Sequence, residues 1–196
     1  MVARPYELKR RAERQEETRQ RIVDAAIELH STIGPNATTV TQLAQRAGVS
    51  RVTVYRHFPD EDALALACSG KYFAGHPFPD LAAWAAIEDP EDRLRAALKE
   101  THRHHRTTEA MMTRVLEDAR DNPVMAPYHG YWAAAADTLM TGRPARGTAR
   151  KLLRARIALA LSFDTWRQLI REQGLNDRQA LDIAEQLTCD CPAPDH

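Results

Sequence analysis

The segment AGVSRVTVYRHF, residues 47–58, limits what this chain can fold into more than any other part of the sequence. By propensity, the β-branched residues 52–54 and Tyr55 favour a strand. In a strand, however, alternation places the charged Arg56 on the same side as two valines. A buried strand would therefore carry a charge on its apolar side.

Signals at both ends of this segment favour a short helix instead. Gly48 takes a left-handed turn conformation at low cost, and Ser50 is a good helix N-cap. Pro59 follows the segment and favours the end of a helix there. At 100° per residue, Val54 and Phe58 lie on one face. We therefore predict a helix of one to two turns that buries this face and exposes the polar side chains.

A second short helix precedes the turn at Gly48. Thr39-Val-Thr-Gln42 matches the capping box, in which a threonine is followed three residues later by a glutamine. A longer helix, with apolar residues at helical spacing, is predicted from Thr18 to a break at residues 34–36. Two short helices joined by a glycine turn, the second with an exposed polar face, form a helix-turn-helix.

A helix-turn-helix has the chemistry to bind DNA. An α-helix fits the major groove, where base edges present a readable pattern of donors and acceptors. Helix N-termini, here at Thr39 and Ser50, present free N–H groups that suit phosphate oxygens. Residues up to Phe58 contain ten Lys and Arg against six Asp and Glu, whereas the remainder contains seventeen against twenty-one. A basic N-terminal part is consistent with an anionic partner.

The rest of the chain also has helical periodicity with short breaks. No pattern of paired strands occurs in the sequence, so we predict an all-α fold. Helices are predicted from Glu61 to about residue 72, then over about 89–106, from 107 or 108 to 120, over 128–139, 148–173 and 177–187, with a short helical turn at 81–87.

The quoted segment, with Thr38-Thr-Val-Thr-Gln-Leu-Ala44 and Ile22-Val-Asp-Ala-Ala26 upstream, resembles the TetR/AcrR family of bacterial transcriptional regulators. The resemblance spans about residues 18–66. It implies a homodimer with about nine helices per subunit. The first three helices form the DNA-binding domain, and the others enclose a small-molecule pocket and the dimer interface.

By motif position, the resemblance places three residues against phosphates and others nearest the bases. Phosphate contacts fall to Thr39, Tyr55 and His57. The full set expected at DNA is Thr39, Thr41, Ser50, Arg51, Val52, Thr53, Tyr55, Arg56 and His57. Two positions depart from the family pattern. Val52 stands where many relatives have a small residue, and Glu61 stands where a phosphate-binding lysine is common.

Four segments follow from this interpretation. We predict a basic N-terminal arm at residues 1–17, which either reaches DNA or is solvated. The DNA-binding domain is predicted at 18–66, with its motif at 39–58. A ligand-binding and dimerisation domain is predicted at 67–188, followed by a flexible tail at 189–196.

The C-terminal domain holds large apolar residues that either fill the core or line a pocket. The pocket candidates are Trp84, Met111, Met112, Met125, Tyr128, Trp132, Phe163 and Trp166. The candidates for a dimer interface, which are equally open to a core role, are Leu153, Ile157, Leu161, Leu181 and Ala184. Methionine suits adaptable pockets, so a mostly apolar ligand is a hypothesis.

Other classes of function have weaker support in the sequence. His102 and His105 share a helix face, a spacing found in metal sites, but arginines beside them oppose a cation; a pocket, core or solvated role is open for this cluster, which includes His104. The three cysteines form no disulfide framework. The sequence contains no phosphate loop and no hydrolase or metalloprotease motif, so we expect no enzyme, cofactor or metal.

We therefore expect a ligand-responsive regulator, a dimeric repressor that binds a palindromic operator and releases it when a small molecule binds. The alternative is a DNA-binding regulator without a small-molecule ligand, controlled by a protein partner or acting as an activator. The charged N-terminus lacks the apolar segment of a signal peptide, and no stretch has the length of a membrane helix. A cytoplasmic location is expected.

Overall fold

The structure is a computed structural model that describes the backbone of residues 4–188 and the side chains of residues 9–188. Within this part of the chain it is all helical, which confirms the predicted fold class. Ten α-helices follow in order: α1 (Arg4–Thr32), α2 (Val40–Ala47), α3 (Arg51–His57), α4 (Glu61–Gly75), α5 (Leu81–Ala85), α6 (Pro90–Ala119), α7 (Ala126–Leu139), α8 (Gly147–Ala160), α9 (Phe163–Arg167) and α10 (Asp177–Thr188).

The helices form two compact units. The first contains the chain up to residue 77 together with residues 109–125, and the second contains residues 78–108 and those from 126 onward. The first unit thus extends beyond the segment 18–66 that the sequence suggests for DNA binding. The predicted tail at 189–196, with Cys189 and Cys191, lies outside the described residues.

The core of the first unit joins α1, α2, α3 and α4. Ile22 and Ala26 of α1 are fully buried, and Val54 and Phe58 are 2% and 3% exposed. The cluster also contains Leu43, Ala44, Ala47 and Cys68. Burying one such large apolar side chain contributes about 1.5–3 kcal/mol, so Val54 and Phe58 hold the short α3 in place.

The core of the second unit is built mainly by α5, α6, α7 and α8. Its largest fully buried members include Trp84, Leu98, Leu139 and Ile157. Arg143 is buried after α7, where its Nη1 donates to Glu91 Oε1 at 2.6 Å and its Nε donates to the Leu139 carbonyl at 3.0 Å. The buried guanidinium is stable here because its Nη1 and Nε donors both have acceptors.

Two predicted helix boundaries are wrong. α6 is continuous through Thr107 and Thr108, because each hydroxyl donates back to the His104 carbonyl, at 2.9 and 2.8 Å, instead of capping a new helix. The predicted helix 148–173 is interrupted, since Ser162 caps α9 by accepting from the Thr165 N–H at 3.1 Å. The helix that follows Trp166 is π-helical over Gln168–Glu172.

The first helix starts earlier than the apolar pattern suggests. α1 begins at Arg4 and includes most of the basic segment 1–17, of which residues 9–17 are exposed. Its end at Thr32 agrees with the predicted break at Gly34, whose φ is +90°. No helix within the described residues is long and apolar enough to cross a membrane.

Candidate DNA-binding surface

The turn between α2 and α3 is defined by caps that were predicted from the sequence. The N–H of Gln42 donates to Thr39 Oγ1 at 3.2 Å, and the N–H of Thr39 donates to Gln42 Oε1 at 2.8 Å, which completes the capping box. Gly48 ends α2 with φ +65°, in the left-handed region. Ser50 then caps α3 by accepting from the Thr53 N–H at 3.1 Å. The helix-turn-helix is therefore a local consequence of these residues.

The two faces of α3 differ sharply in exposure. Val54 is 2% exposed, whereas Val52 is 77% exposed and Tyr55 is 49% exposed. Arg51 and Arg56 are also exposed. A valine with this exposure contributes little to folding, and its side chain is available to a partner.

The hydroxyl groups of the motif are partly occupied by capping. Thr53 Oγ1 lies 2.9 Å from Ser50 Oγ, and Thr39 Oγ1 donates to Gln42 Oε1 at 2.8 Å. Thr39 and Ser50 remain exposed despite these bonds, and Thr41 is exposed on the first turn of α2. These groups can still accept or donate one further hydrogen bond each.

His57 lies at the end of α3 beside two arginines. Burial, and next the charges of Arg56 and Arg19, lower the pKa of His57 below its usual range. The imidazole is therefore neutral at pH 7, and its Nε2 is buried without a hydrogen-bond partner among the described residues. The guanidinium carbon of Arg19 lies over the Phe58 ring, 5.1 Å from the ring centroid. Arg19 was not predicted from the sequence as a residue of this surface. Its position one turn before the apolar residues of α1 could have suggested it.

The start of α4 has the charge opposite to that expected at a phosphate. Asp60 caps α4 by accepting from the Ala63 N–H at 2.7 Å. Glu61 and Asp62 follow and are exposed. Carboxylates in a first turn stabilise the helix dipole, but they repel a DNA backbone. On α1, Arg19 lies beside His57 and Phe58, and Lys9, Arg11 and Arg14 are exposed nearer the start of that helix.

The pocket candidates are divided between the two units. Met111, Met112 and Met125 are buried in the first unit, whereas Trp84, Tyr128, Trp132, Phe163 and Trp166 belong to the second. The indole N–H of Trp84 donates to Glu100 Oε2 at 2.8 Å. The sequence did not suggest Phe78, whose ring stacks on the Tyr131 ring with 4.3 Å between centroids; Phe78 lies between two prolines, outside any apolar periodicity.

Most of the interface candidates are buried within their own subunit. Leu153, Ile157, Leu161 and Ala184 are at most 2% exposed, and Leu181 is half-buried. Two other leucines of α8 are exposed, Leu152 by 54% and Leu159 by 51%. Their spacing of seven residues places them on one helix face. This spacing could have identified them from the sequence as candidates for an interface.

The histidines of α6 are core residues in the second unit. His102, His104 and His105 are all buried. Burial lowers the pKa of His102 to about 4 and that of His105 to about 3. Among the described residues, no group of three or more His, Cys, Asp or Glu side chains has the arrangement of a metal site.

The helix-turn-helix segment of this chain is similar to segments of known regulatory proteins. Residues 22–68 match the family described as "Bacterial regulatory proteins, tetR family". The HTH-type transcriptional regulator SrpR of Pseudomonas putida is 54% identical over 43 residues, which are 22% of this chain and 20% of that protein. An uncharacterized HTH-type regulator in the dhlA 5' region of Xanthobacter autotrophicus is 35% identical over 92 residues, 43% of each chain. The matches thus span less than half of the length of these curated relatives.

Solved structures extend the similarity of fold over most of the chain. A TetR-like transcriptional regulator from Rhodococcus sp. RHA1 aligns with TM-score 0.59 and 20% identity, covering 87% of this chain and 93% of that one. The multidrug binding protein EbrR, in complex with imidazole, aligns with TM-score 0.58 and 24% identity over 90% and 97%. The helix-turn-helix segment at residues 22–68 thus matches the tetR family of bacterial regulatory proteins, and the chain shares an all-helical fold with these solved structures.

Proposed function

We propose that this chain is a DNA-binding transcriptional regulator that reads its operator with α3. The observation that carries the proposal is the separation of faces on α3. Val54 and Phe58 fix the helix to the core, whereas Val52 and Tyr55 stand exposed beside two arginines. The family relationship supports a regulator over an enzyme, and a cytoplasmic location is part of the proposal.

The exposed residues of α3 divide into two roles. Val52 offers methyl groups that can pack against a thymine methyl in the major groove, and thus selects a base pair. Tyr55 offers a hydroxyl, and Arg56 a charge, to groups of the backbone or to nearby base edges. A base contact changes sequence preference, whereas a phosphate contact changes affinity for all sequences.

Selection of binding sites from a random DNA library tests this division. Val52→Ala should change the selected sequence at about one base-pair position, because it removes a methyl contact. Tyr55→Phe should leave the selected sequence unchanged and weaken binding to every site. If Val52→Ala leaves the selected sequence unchanged while Tyr55→Phe alters it, the assignment of roles is wrong.

The proposed active form is a homodimer on a palindromic operator. A two-fold dimer places its recognition helices in successive major grooves, about 34–36 Å apart. The surface we assign to dimerisation includes the exposed Leu152 and Leu159 on α8, with the half-buried Leu181 of α10 in the same unit. Exposed leucines on one helix face are typical of an association surface.

Repression and release by a small, mostly apolar molecule complete the proposal. Such a ligand would act by preferring a subunit arrangement in which the groove spacing is wrong, which is a shift of population. EbrR, one of the solved structures with a similar fold, is named as a multidrug binding protein. A gel-shift titration of the selected site with candidate ligands tests release: a bound ligand that leaves the complex intact contradicts it.

A further inference from the structure

An open cavity in the first unit lies between α1 and the end of α3. It has a volume of about 340 Å³, and its lining consists of Ala12, Gln15, Glu16, Arg19, Arg56 and His57. Arg19 belongs to α1 and Arg56 to α3. Only the tertiary fold therefore brings these two positive charges to one cavity.

The guanidinium of Arg19 is held at this cavity by the core of the first unit. Its carbon atom lies over the ring of Phe58, which is 3% exposed. The face of an aromatic ring attracts a cation, and this stacking leaves the edge of the planar guanidinium, with its N–H donors, available to other partners. The Arg19 side chain is 39% exposed. The fold thus holds a cation in one place with part of its side chain open to solvent.

The two arginines of the cavity have hydrogen-bonding capacity to spare. Arg19 Nη1 lies 3.9 Å from Glu16 Oε1, which is longer than a hydrogen bond, and that oxygen already accepts from Gln20 Nε2 at 2.6 Å. The Arg56 side chain is exposed and makes no hydrogen bond or ion pair with the described residues. Both guanidinium groups can therefore donate charge-assisted hydrogen bonds to an anion in the cavity.

The charges of the lining favour an anion over a cation. Two arginines and one carboxylate, Glu16, give the lining a net charge of +1, because the His57 ring is neutral at pH 7. Burial, and next the charges of Arg56 and Arg19, lower the pKa of this ring, so both arginines lie close to it. Gln15 is exposed and adds a neutral donor.

The place of the cavity at the end of α3 selects a DNA phosphate as the anion. A recognition helix contacts base edges with its N-terminal residues. α3 has seven residues and is therefore about 10 Å long, similar to the major groove, which is about 12 Å wide. When the first residues of α3 reach the bases, Arg56 at its other end stands near the backbone at the edge of the groove.

We propose that this cavity binds one phosphate of the operator backbone, held by the guanidinium groups of Arg19 and Arg56 with the Gln15 amide as a further donor. The inference rests on the proposed function in taking α3 as the recognition helix, and it adds a contact from α1. Arg19 is a positioning residue, which fixes the register of α3 on the duplex and carries no base preference. Inorganic phosphate has the same chemistry, and DNA with single neutralised phosphates distinguishes the two sources.

Binding of the full chain to a fluorescent duplex, measured by anisotropy at several salt concentrations, tests the charge contact. Arg19→Gln should lower the slope of log K against log salt by about one per bound subunit. It should weaken binding about ten-fold, for the selected site and for a duplex of random sequence alike. Arg19→Lys keeps the charge and should keep the slope. An unchanged slope in Arg19→Gln, or an equal loss in Arg19→Lys, would overturn the proposal.

Arg114→Gln is the matched control within the first unit. Arg114 has a similar ion pair, with Glu117 at 3.8 Å, and its side chain is 47% exposed. It lies next to Gly34, just beyond the end of α1, whereas Arg19 lies about 20 Å away along that helix. Salt screens exposed charges over such a distance, so Arg114→Gln should leave the slope unchanged. A loss equal to that of Arg19→Gln would mean that net charge alone is responsible, and would contradict the site.

Duplexes in which one phosphate at a time is replaced by a neutral methylphosphonate locate the contact. Among the replacements that weaken binding of the natural chain, one in each half-site should have no effect on Arg19→Gln, because that contact is already lost. If no replacement behaves in this way, Arg19 contacts no phosphate of the DNA. Binding of inorganic phosphate that depends on Arg19, without any such replacement, would make the cavity a site for a free anion and the proposal wrong.

Glu16→Gln tests the cavity without removal of an arginine. The Glu16 carboxylate lines the cavity and repels a phosphate, so its neutralisation should strengthen DNA binding about two- to five-fold. Glu17→Gln is the control, because Glu17 is exposed, carries the same charge and is not part of the lining. No gain in Glu16→Gln, or an equal gain in Glu17→Gln, contradicts the proposal even if the Arg19 variants fail to fold.

Failure of this inference is distinguishable from failure of the proposed function. If the natural chain binds no duplex at any salt concentration, the proposed function and this inference are both wrong. If the natural chain binds and selects a site but Arg19→Gln behaves like Arg114→Gln, the inference alone is wrong and the roles assigned to α3 stand.

Discussion

A substitution in the loop after α1 tests the packing of the first unit. The loop requires a glycine at residue 34 because of its backbone conformation and because of a close contact with another side chain. Gly34 has φ +90°, and a Cβ added to it would lie 2.5 Å from Asp118 Oδ2. The same carboxylate accepts from the Asn36 N–H at 2.9 Å, while Asn36 Nδ2 donates to the Asp118 carbonyl at 3.3 Å. Gly34→Ala therefore strains the backbone and displaces an acceptor at once.

The expected loss follows from these two effects. A left-handed backbone costs an alanine about 1–2 kcal/mol. A displaced Asp118 loses a hydrogen bond from the Asn36 N–H, and a bond to a charged group contributes about 1.5–3 kcal/mol. The side chain of Asp118 is partly exposed and recovers some hydration after moving. We expect the free energy of unfolding to fall by about 2–4 kcal/mol.

Urea unfolding followed by circular dichroism measures this loss, and hydrogen exchange at the Asn36 amide measures it locally. Gly70→Ala is the matched control, because Gly70 is helical and no heavy atom lies within 4 Å of its added Cβ. That variant should gain about 0.5–1 kcal/mol, the usual helix preference of alanine over glycine.

A third variant separates strain from the clash. Gly34→Asn tolerates the left-handed backbone better than alanine but still adds a Cβ next to Asp118. We expect Gly34→Asn to remain less stable than the natural chain. Stability equal to the natural chain in Gly34→Asn would refute the clash, and a Gly34→Ala variant no less stable than Gly70→Ala would refute both effects.

Three further results are expected. Glu61→Lys should strengthen DNA binding and steepen its salt dependence by about one phosphate contact, measured by fluorescence anisotropy at several salt concentrations; an unchanged slope would place Glu61 away from DNA. Leu152→Glu should dissociate the dimer in sedimentation runs, whereas Leu66→Glu, at a position 68% exposed in the first unit, should not. Because the pKa values of His102 and His105 are lowered from 6.5 to about 4 and about 3, the unfolded state binds more protons below pH 6.5, so stability should fall as the pH drops towards 4. His102→Phe should flatten that dependence in urea titrations at stepped pH, and an unchanged pH dependence would contradict the burial of the neutral ring.

The helix-turn-helix was predictable from sequence because its signals are local. The cap at Thr39, the turn at Gly48 and the cap at Ser50 each bond within a few residues, so no distant part of the chain decides them. Helix boundaries farther on depend on context. Thr107 and Thr108 are good caps by type, but inside the continuous helix α6 their hydroxyls bond back to a carbonyl.

The chemistry of the second unit was less accessible to sequence reasoning. Apolar periodicity shows which face of α8 is apolar. It does not show whether Leu153 on that face packs in the core of its own subunit or against a partner subunit. In the structure Leu153 is buried and its neighbour Leu152 is exposed. His105, Trp132 and Trp166 belong to α6, α7 and α9, so only the tertiary fold brings the two tryptophan rings to 5.1 and 5.9 Å from the His105 ring.

The separation of faces on α3 has a consequence for how such a regulator changes during evolution. Folding of α3 depends on its caps and on Val54 and Phe58, whereas Val52 contributes little to stability because it is 77% exposed. Substitutions at exposed positions away from such features usually change stability by less than about 0.5 kcal/mol. Mutations at Val52 can therefore accumulate without loss of folded protein, and under the base-reading role proposed for this residue they would change operator preference while the scaffold stays intact.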